Sequence, residues 1–276
     1  MSLIWTNLSR WLWIPNIFRG EDTRPLRLIS ILLFLLIWEG AALLADLPQL
    51  FPTPIAVIIA LGQLLVAPGP PGLEWAGELM GNTLISLWRV IVGFALAAVT
   101  GVLLGIIIGW WRNARDLLEP VIELLRPIPP LAWIPLAMLW FGLGFKPAVF
   151  LIWLGAFFPI VLNTVLGMEN TPHKLVEVAR TLGAGPWQVL LKVGVPSAAP
   201  SIMAGLRIGI GIGWMCLVAA ELTGSNSGLG YMIMYYYSTM EAAKTVAGML
   251  MIGVVGFLMF IGLKKFEDKI LFWKAA

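Results

Sequence analysis

The stretch His173–Pro196 reads HKLVEVARTLGAGPWQVLLKVGVP, the longest polar interruption in the second half of an otherwise oily chain. Leu175, Val178, Ala179 and Leu182 recur at i, i+3, i+4 and i+7, the apolar face of a short helix. Lys174, Glu177, Arg180 and Thr181 take the opposite face. Gly183 falls where a helix ends in a left-handed residue. Gly185-Pro186 then restarts the chain, with proline at a first helical position. Trp187, Leu190 and Leu191 make a second apolar stripe. The pattern predicts a short helix, a tight glycine turn and a second short helix, set between two membrane spans.

The chain around this loop is membrane-like. It has 276 residues, of which 59% are apolar and 12% charged, and its mean hydropathy is +0.90. Such a composition excludes an ordinary soluble domain. A spanning helix needs about 20 mostly apolar residues. Six stretches qualify, at roughly 28–46, 82–109, 119–141, 147–167, 199–221 and 243–263. Thirteen basic residues fall in the N-terminal tail, the second and fourth loops and the C-terminal tail, against Lys146 and Lys244 in the other loops. By the positive-inside rule both tails and the 173–196 loop are cytoplasmic. The expected class is therefore an all-α membrane protein with six transmembrane helices. The net charge of +3 is a topology signal and no argument for nucleic acid.

Residues 1–27 mix Trp5, Trp11, Trp13 and Leu8 with Arg10 and Arg19, a pattern for an interfacial helix on the inner leaflet. The first apolar run reaches span length with no small-residue cleavage site, so no cleavable signal peptide is expected. Residues 28–263 make the six-helix domain, and 264–276 a short inner tail. Ile55 to Val66, between prolines, is too short to cross and reads as a re-entrant or surface helix. Cys216 and His173 are each alone, which excludes an internal disulfide and a His/Cys metal site.

The 173–196 loop resembles the EAA loop of permease subunits of binding-protein-dependent ABC importers. That pattern is E-A-A, three residues, G, nine residues, I-x-L-P. Here Glu177, Val178, Ala179 and Gly183 take its first half, and Val193, Val195 and Pro196 its second, with conservative departures at the three valines. The resemblance implies a type I ABC importer permease-like fold. It also implies that a cytoplasmic coupling segment, 170–196, docks on an ATPase through Glu177, Ala179, Arg180, Gly183, Ala184 and Trp187. The partners it implies are two ATPase subunits carrying ATP and Mg, a second permease copy in a homodimer, a soluble solute-binding protein and membrane lipid. The implied location is a bacterial inner membrane, and the chain itself is expected to bind no cofactor. The bland alternative is an amphipathic interfacial loop of another membrane protein.

The third span carries Pro127, Pro129, Pro130 and Pro135, which cannot all sit in one regular helix. Broken backbone at membrane depth is tolerated where it is packed in protein or lines a cavity. Its RPxPPLAWxPLxxxWFGxG segment resembles the taurine, sulfonate and nitrate branch of these permeases, with resemblance running from about Leu84 to Glu221. The branch implies a small anion as solute: taurine or another alkanesulfonate, nitrate or nitrite, or bicarbonate.

Glycines recur every fourth position at Gly101, Gly105 and Gly109 in the second span and at Gly205, Gly209 and Gly213 in the fifth. Such faces let helices approach closely, inside one subunit or between two. In the fifth span Arg207, Trp214 and Glu221 share a stripe of their own. Arg89, Arg126 and Arg207 are intramembrane charges that each need a partner or water. Glu123 stands one turn from Arg126. Arg89 has Glu221 and Glu39 at similar depth, so a helix-tying ion pair is one expectation for it. Arg207 has no acidic residue nearby on its own stripe. Arg207, Trp214, Glu221 and Arg89 are therefore candidates for the translocation path.

No G-x-x-x-x-G-K-[ST] occurs, so ATP must be hydrolysed by a separate chain, and one histidine leaves no nucleophile–His–acid set. The chain is expected not to be an enzyme. A secondary carrier or channel for small anions is the competing class. A carrier would carry paired broken helices in two repeats, and here only one span is proline-broken.

Overall fold

The computed structural model describes residues 24–271, and these are helical with no strand. In chain order the helices are α1 (Arg24–Ala45), α2 (Pro54–Val66), α3 (Glu78–Trp110), α4 (Arg112–Leu125), α5 (Ile134–Phe141), α6 (Phe145–Glu169), α7 (His173–Thr181), α8 (Pro186–Val189), α9 (Val195–Gly224), α10 (Leu229–Ser238) and α11 (Ala242–Ile270). The interfacial helix expected at the N-terminus falls, up to residue 23, outside the described residues.

Among the described residues, five helices are long and apolar enough to cross a membrane: α1, α3, α6, α8 running into α9, and α11. The third expected span differs from the reading of 119–141 as one helix. Its helical part begins earlier, at Arg112, and breaks: Arg112–Leu125 and Pro130–Phe141 meet at 81°. Pro127, Pro129 and Pro130 cannot donate to the helix ladder, and their rings clash with the preceding turn. Pro135 is tolerated because it stands in the first turn of α5.

Helix α6 is the core of the bundle, with Leu151, Ile152, Ala156, Ile160 and Val161 fully enclosed. The two glycine faces explain why. A Cβ at Gly93, Gly101, Gly105 or Gly109 of α3 would stand 2.7, 2.9, 2.5 and 2.6 Å from the Cβ or Cγ2 atoms of Ile152, Ile160, Thr164 and Met168. Those partners are themselves spaced four or eight apart on α6, so the two helices mesh along their inner halves. On its other side α6 meets Gly205, Gly209 and Gly213 of α9, where added Cβ atoms would come within 2.8–3.2 Å of its residues. Both glycine stripes thus serve packing inside the subunit. They bring three helices together without a hydrophobic driving force between them, by close contact alone.

The remaining helices decorate this α3–α6–α9 slab. Helix α2 is capped by Thr53, whose Oγ1 accepts the Ala56 N–H at 3.2 Å. It buries Val57, Ala60 and Leu64 in the core cluster that holds Leu79, Leu229 and Ala247. Helix α1 leaves most of its apolar side chains open, and its Trp38 Nε1 donates to the Pro52 carbonyl at 3.1 Å. In hydrocarbon such exposure carries no penalty.

Candidate functional site

The 173–196 segment folds as its residue pattern predicts. Gly183 has φ +83°, and this left-handed residue closes a Schellman turn. Its N–H bonds the Arg180 carbonyl at 2.9 Å, and the Ala184 N–H bonds the Ala179 carbonyl at 3.0 Å. The turn brings the backbones of Ala179 and Ala184 together. Gln188 reaches back to accept the Gly185 N–H at 3.0 Å, one half of a capping box at the start of α8. A π turn, Leu190–Gly194, joins α8 to α9.

One side of this loop is anchored and the other is open. Val189 and Leu190 are buried, and the Trp110 ring lies so close over Gly194 that a Cβ there would stand 2.7 Å from Cζ3. Trp111 meets Trp187 edge-on, with ring centroids 5.6 Å apart. Arg115 braces the ends of α3 and α6, through Glu169 at 2.8 Å and the Gly109 carbonyl at 3.2 Å. Away from these anchors Glu177 and Arg180 are exposed. So are Val178 and Leu182, at 57% and 82%, while Trp187 keeps 65% exposure beside Trp111. Leu182 and Trp187 thus stand open beside the charged Glu177 and Arg180 on a hydrogen-bonded turn.

The four path candidates do not share one open surface. Arg89 and Glu221 are buried together. Arg89 Nη1 donates to Glu221 Oε1 at 2.7 Å and to the Ser227 carbonyl at 2.7 Å, while Nη2 donates to Ser227 Oγ at 3.0 Å. Ser86 Oγ donates to the same carboxylate (2.8 Å to Oε2) and accepts the Leu229 N–H at 2.9 Å. The Gly230 N–H reaches Glu221 Oε2 at 2.9 Å, and the Gly228 N–H reaches Asn82 Oδ1 at 2.8 Å. The carboxylate thus sits at the N-terminus of α10, the positive end of a helix dipole. The network clamps the 225–230 loop onto α3. Asn82 and Ser86 were missed by the sequence reading, although polar residues at i, i+4 and i+7 with Arg89 in an apolar span are a signal for such a clamp.

Trp214 is also buried, its ring against Gly256 of α11. Arg207 pairs with Glu267 near the cytoplasmic end of α11, and its side chain keeps 36% exposure. Glu267 lies sixty residues on, on α11, so periodicity along α9 gives no sign of this partner. The face of α9 that remains open is a third one. Ile208, Gly211, Met215 and Thr223 are exposed, with Ala219 and Leu222 half-open beside them. It carries no charge.

A membrane-embedded helical bundle with a cytoplasmic Gly-hinged loop is the architecture of an importer permease. Residues 101–271 match the family of binding-protein-dependent transport system inner membrane components, and the chain belongs to that family. It is 46% identical over 243 residues to a Methanocaldococcus jannaschii protein named as an ABC transporter permease, covering 88% of this chain and 89% of that one. It is 36% identical to the taurine transport system permease protein of Escherichia coli (86% and 84% covered). With the nitrate import permease protein of Synechocystis it shares 34% (88% and 87% covered). Among solved structures, a chain of the MetNI methionine ABC transporter in inward-facing conformations superposes with a TM-score of 0.62. The match is at 19% identity and covers 73% of this chain and 99% of that one, a likeness of fold. The protein is thus an integral membrane permease of type I ABC importer fold, in the branch that includes sulfonate, taurine and nitrate permeases. It is a transport subunit and not an enzyme. It works with a separate ATPase chain and a solute-binding protein.

Proposed function

We propose that this chain forms the translocation path for a small anion, of the alkanesulfonate, nitrate or bicarbonate type, in a bacterial inner membrane. Two copies surround one path, and two ATPase subunits holding ATP and Mg dock beneath them. The observation that carries this reading is the 173–192 loop. It is fixed to the ends of α3 and α6 on one side and offers Leu182, Trp187, Glu177 and Arg180 on the other. A loop that only joined two spans would have no use for such a surface. Arg207, the one path candidate with an open side chain, keeps its proposed place at the inner end of the path. Arg89, Trp214 and Glu221 support the walls from behind.

The test is a pair of substitutions in the loop. Gly183→Val forces a branched side chain into a left-handed conformation, at a cost of about 1–2 kcal/mol, and distorts the turn. Glu177→Arg reverses the charge presented to the ATPase. Both variants should insert in the membrane normally while ATPase co-purification and coupled uptake fall. Normal uptake by both would remove the loop from this role.

A further inference from the structure

At the outer end of α9 the 142–144 loop, the last turn of α9 and one face of α10 enclose a cleft of about 310 Å³. Hydroxyls line one part of it: Thr223, Ser225, Tyr231, Tyr235 and Ser238. Leu143, Leu222 and Met234 line another, and no charged side chain faces it. Three of the hydroxyl protons are already engaged. Thr223 donates to the Ala219 carbonyl (2.9 Å), Ser225 to the Ser227 carbonyl (2.8 Å) and Ser238 to the Tyr235 carbonyl (2.7 Å). The phenols of Tyr231 and Tyr235, with ring centroids 6.4 Å apart, have no partner among the described residues. Two free O–H donors therefore border an apolar wall.

The cleft is held rigidly. Its α10 side is fixed by the Arg89–Glu221 clamp, and its loop side by the Gly144 N–H on the Gly224 carbonyl at 2.9 Å. It is also continuous with the open, uncharged face of α9, because Leu222 and Thr223 belong to both. A solute leaving the cleft toward the cytoplasm meets Ala219, Met215, Gly211 and Ile208 in turn.

We propose that this cleft is the outer receiving site of the permease, and that it takes an oxyanion bearing a short alkyl segment. This rests on the anion-importer reading above. The phenols donate to the anionic oxygens, and the leucine–methionine wall covers the methylenes that an inorganic oxyanion lacks. Neutral donors hold an anion less strongly than a guanidinium would. That suits a site that must release its solute onward.

The experiment uses the permease–ATPase complex in proteoliposomes, with Cys216 replaced by alanine and Thr223→Cys introduced. Methyl methanethiosulfonate, which is neutral and carries no sulfonate, labels this thiol; the thiolate displaces methanesulfinate and a mixed disulfide forms. Ethanesulfonate at millimolar concentration should slow labelling several-fold, and sodium nitrate at equal ionic strength should not. Trp75→Cys, at an exposed outer position, should be slowed by neither. Adding Tyr231→Phe and Tyr235→Phe should abolish the protection without changing the unprotected rate. The proposal is overturned if ethanesulfonate fails to protect Thr223→Cys, if nitrate protects equally, if Trp75→Cys is protected too, or if protection survives both phenylalanines. ATPase co-purification with the same Thr223→Cys complex reports on the importer reading separately.

Discussion

Glu221 is a carboxylate enclosed in a membrane protein, and its stability there depends on Arg89, Ser86 and the first N–H groups of α10. Removing one partner of a buried pair leaves the other charge uncompensated, at a cost of about 3–5 kcal/mol. Arg89→Leu should accordingly lower the thermal unfolding midpoint in detergent by a large margin. Combining it with Glu221→Gln should recover part of the loss, since the stranded charge is gone. An unchanged midpoint in Arg89→Leu would mean that the clamp contributes nothing. At this scale the sequence was informative where one residue dictates its own conformation. Gly183 was legible because no other residue type takes φ +83° readily. The Arg89–Glu221 pair was legible as one of two options, because depth restricts partners. Arg207–Glu267 was not, because periodicity along α9 is silent about a side chain arriving from α11.

The helices were readable from hydropathy and their meshing was not. The spacing of glycines by four announces a smooth face but not which neighbour occupies it. Here α6 occupies both faces, with Thr164 filling the space over Gly105. Gly105→Ala would put a Cβ 2.5 Å from Thr164 Cβ and 2.9 Å from the Val161 carbonyl. Overpacking of this kind typically costs about 1–3 kcal/mol. Gly211→Ala, on the open face of α9 with nothing within 4 Å, should leave the unfolding midpoint near that of the wild type. Equal effects of the two substitutions would contradict the slab of α3, α6 and α9. The broken third span was half legible. Four prolines announced a break, but the 81° angle depends on how α4 and α5 each find α6, which no local pattern encodes.

At the scale of the whole molecule, one copy leaves an uncharged, open stripe along α9 from Thr223 to Ile208, and a path needs a second wall. In a homodimer that wall is the same stripe of the partner copy. Single cysteines at Gly211 or Met215, with Cys216 replaced, should therefore cross-link into a permease dimer. A purified complex with one permease chain, or with a different permease in second place, would exclude this arrangement. We propose that the 173–192 loop is where ATP hydrolysis reaches the membrane domain. The most direct measurement places a photoreactive residue at Leu182, the loop's most open leucine at 82% exposure, and irradiates the assembled transporter. The account predicts an adduct between the permease and its ATPase from position 182, and none from the same residue placed at Trp75. ATPase adducts absent from Leu182, or formed equally from Trp75, would contradict it.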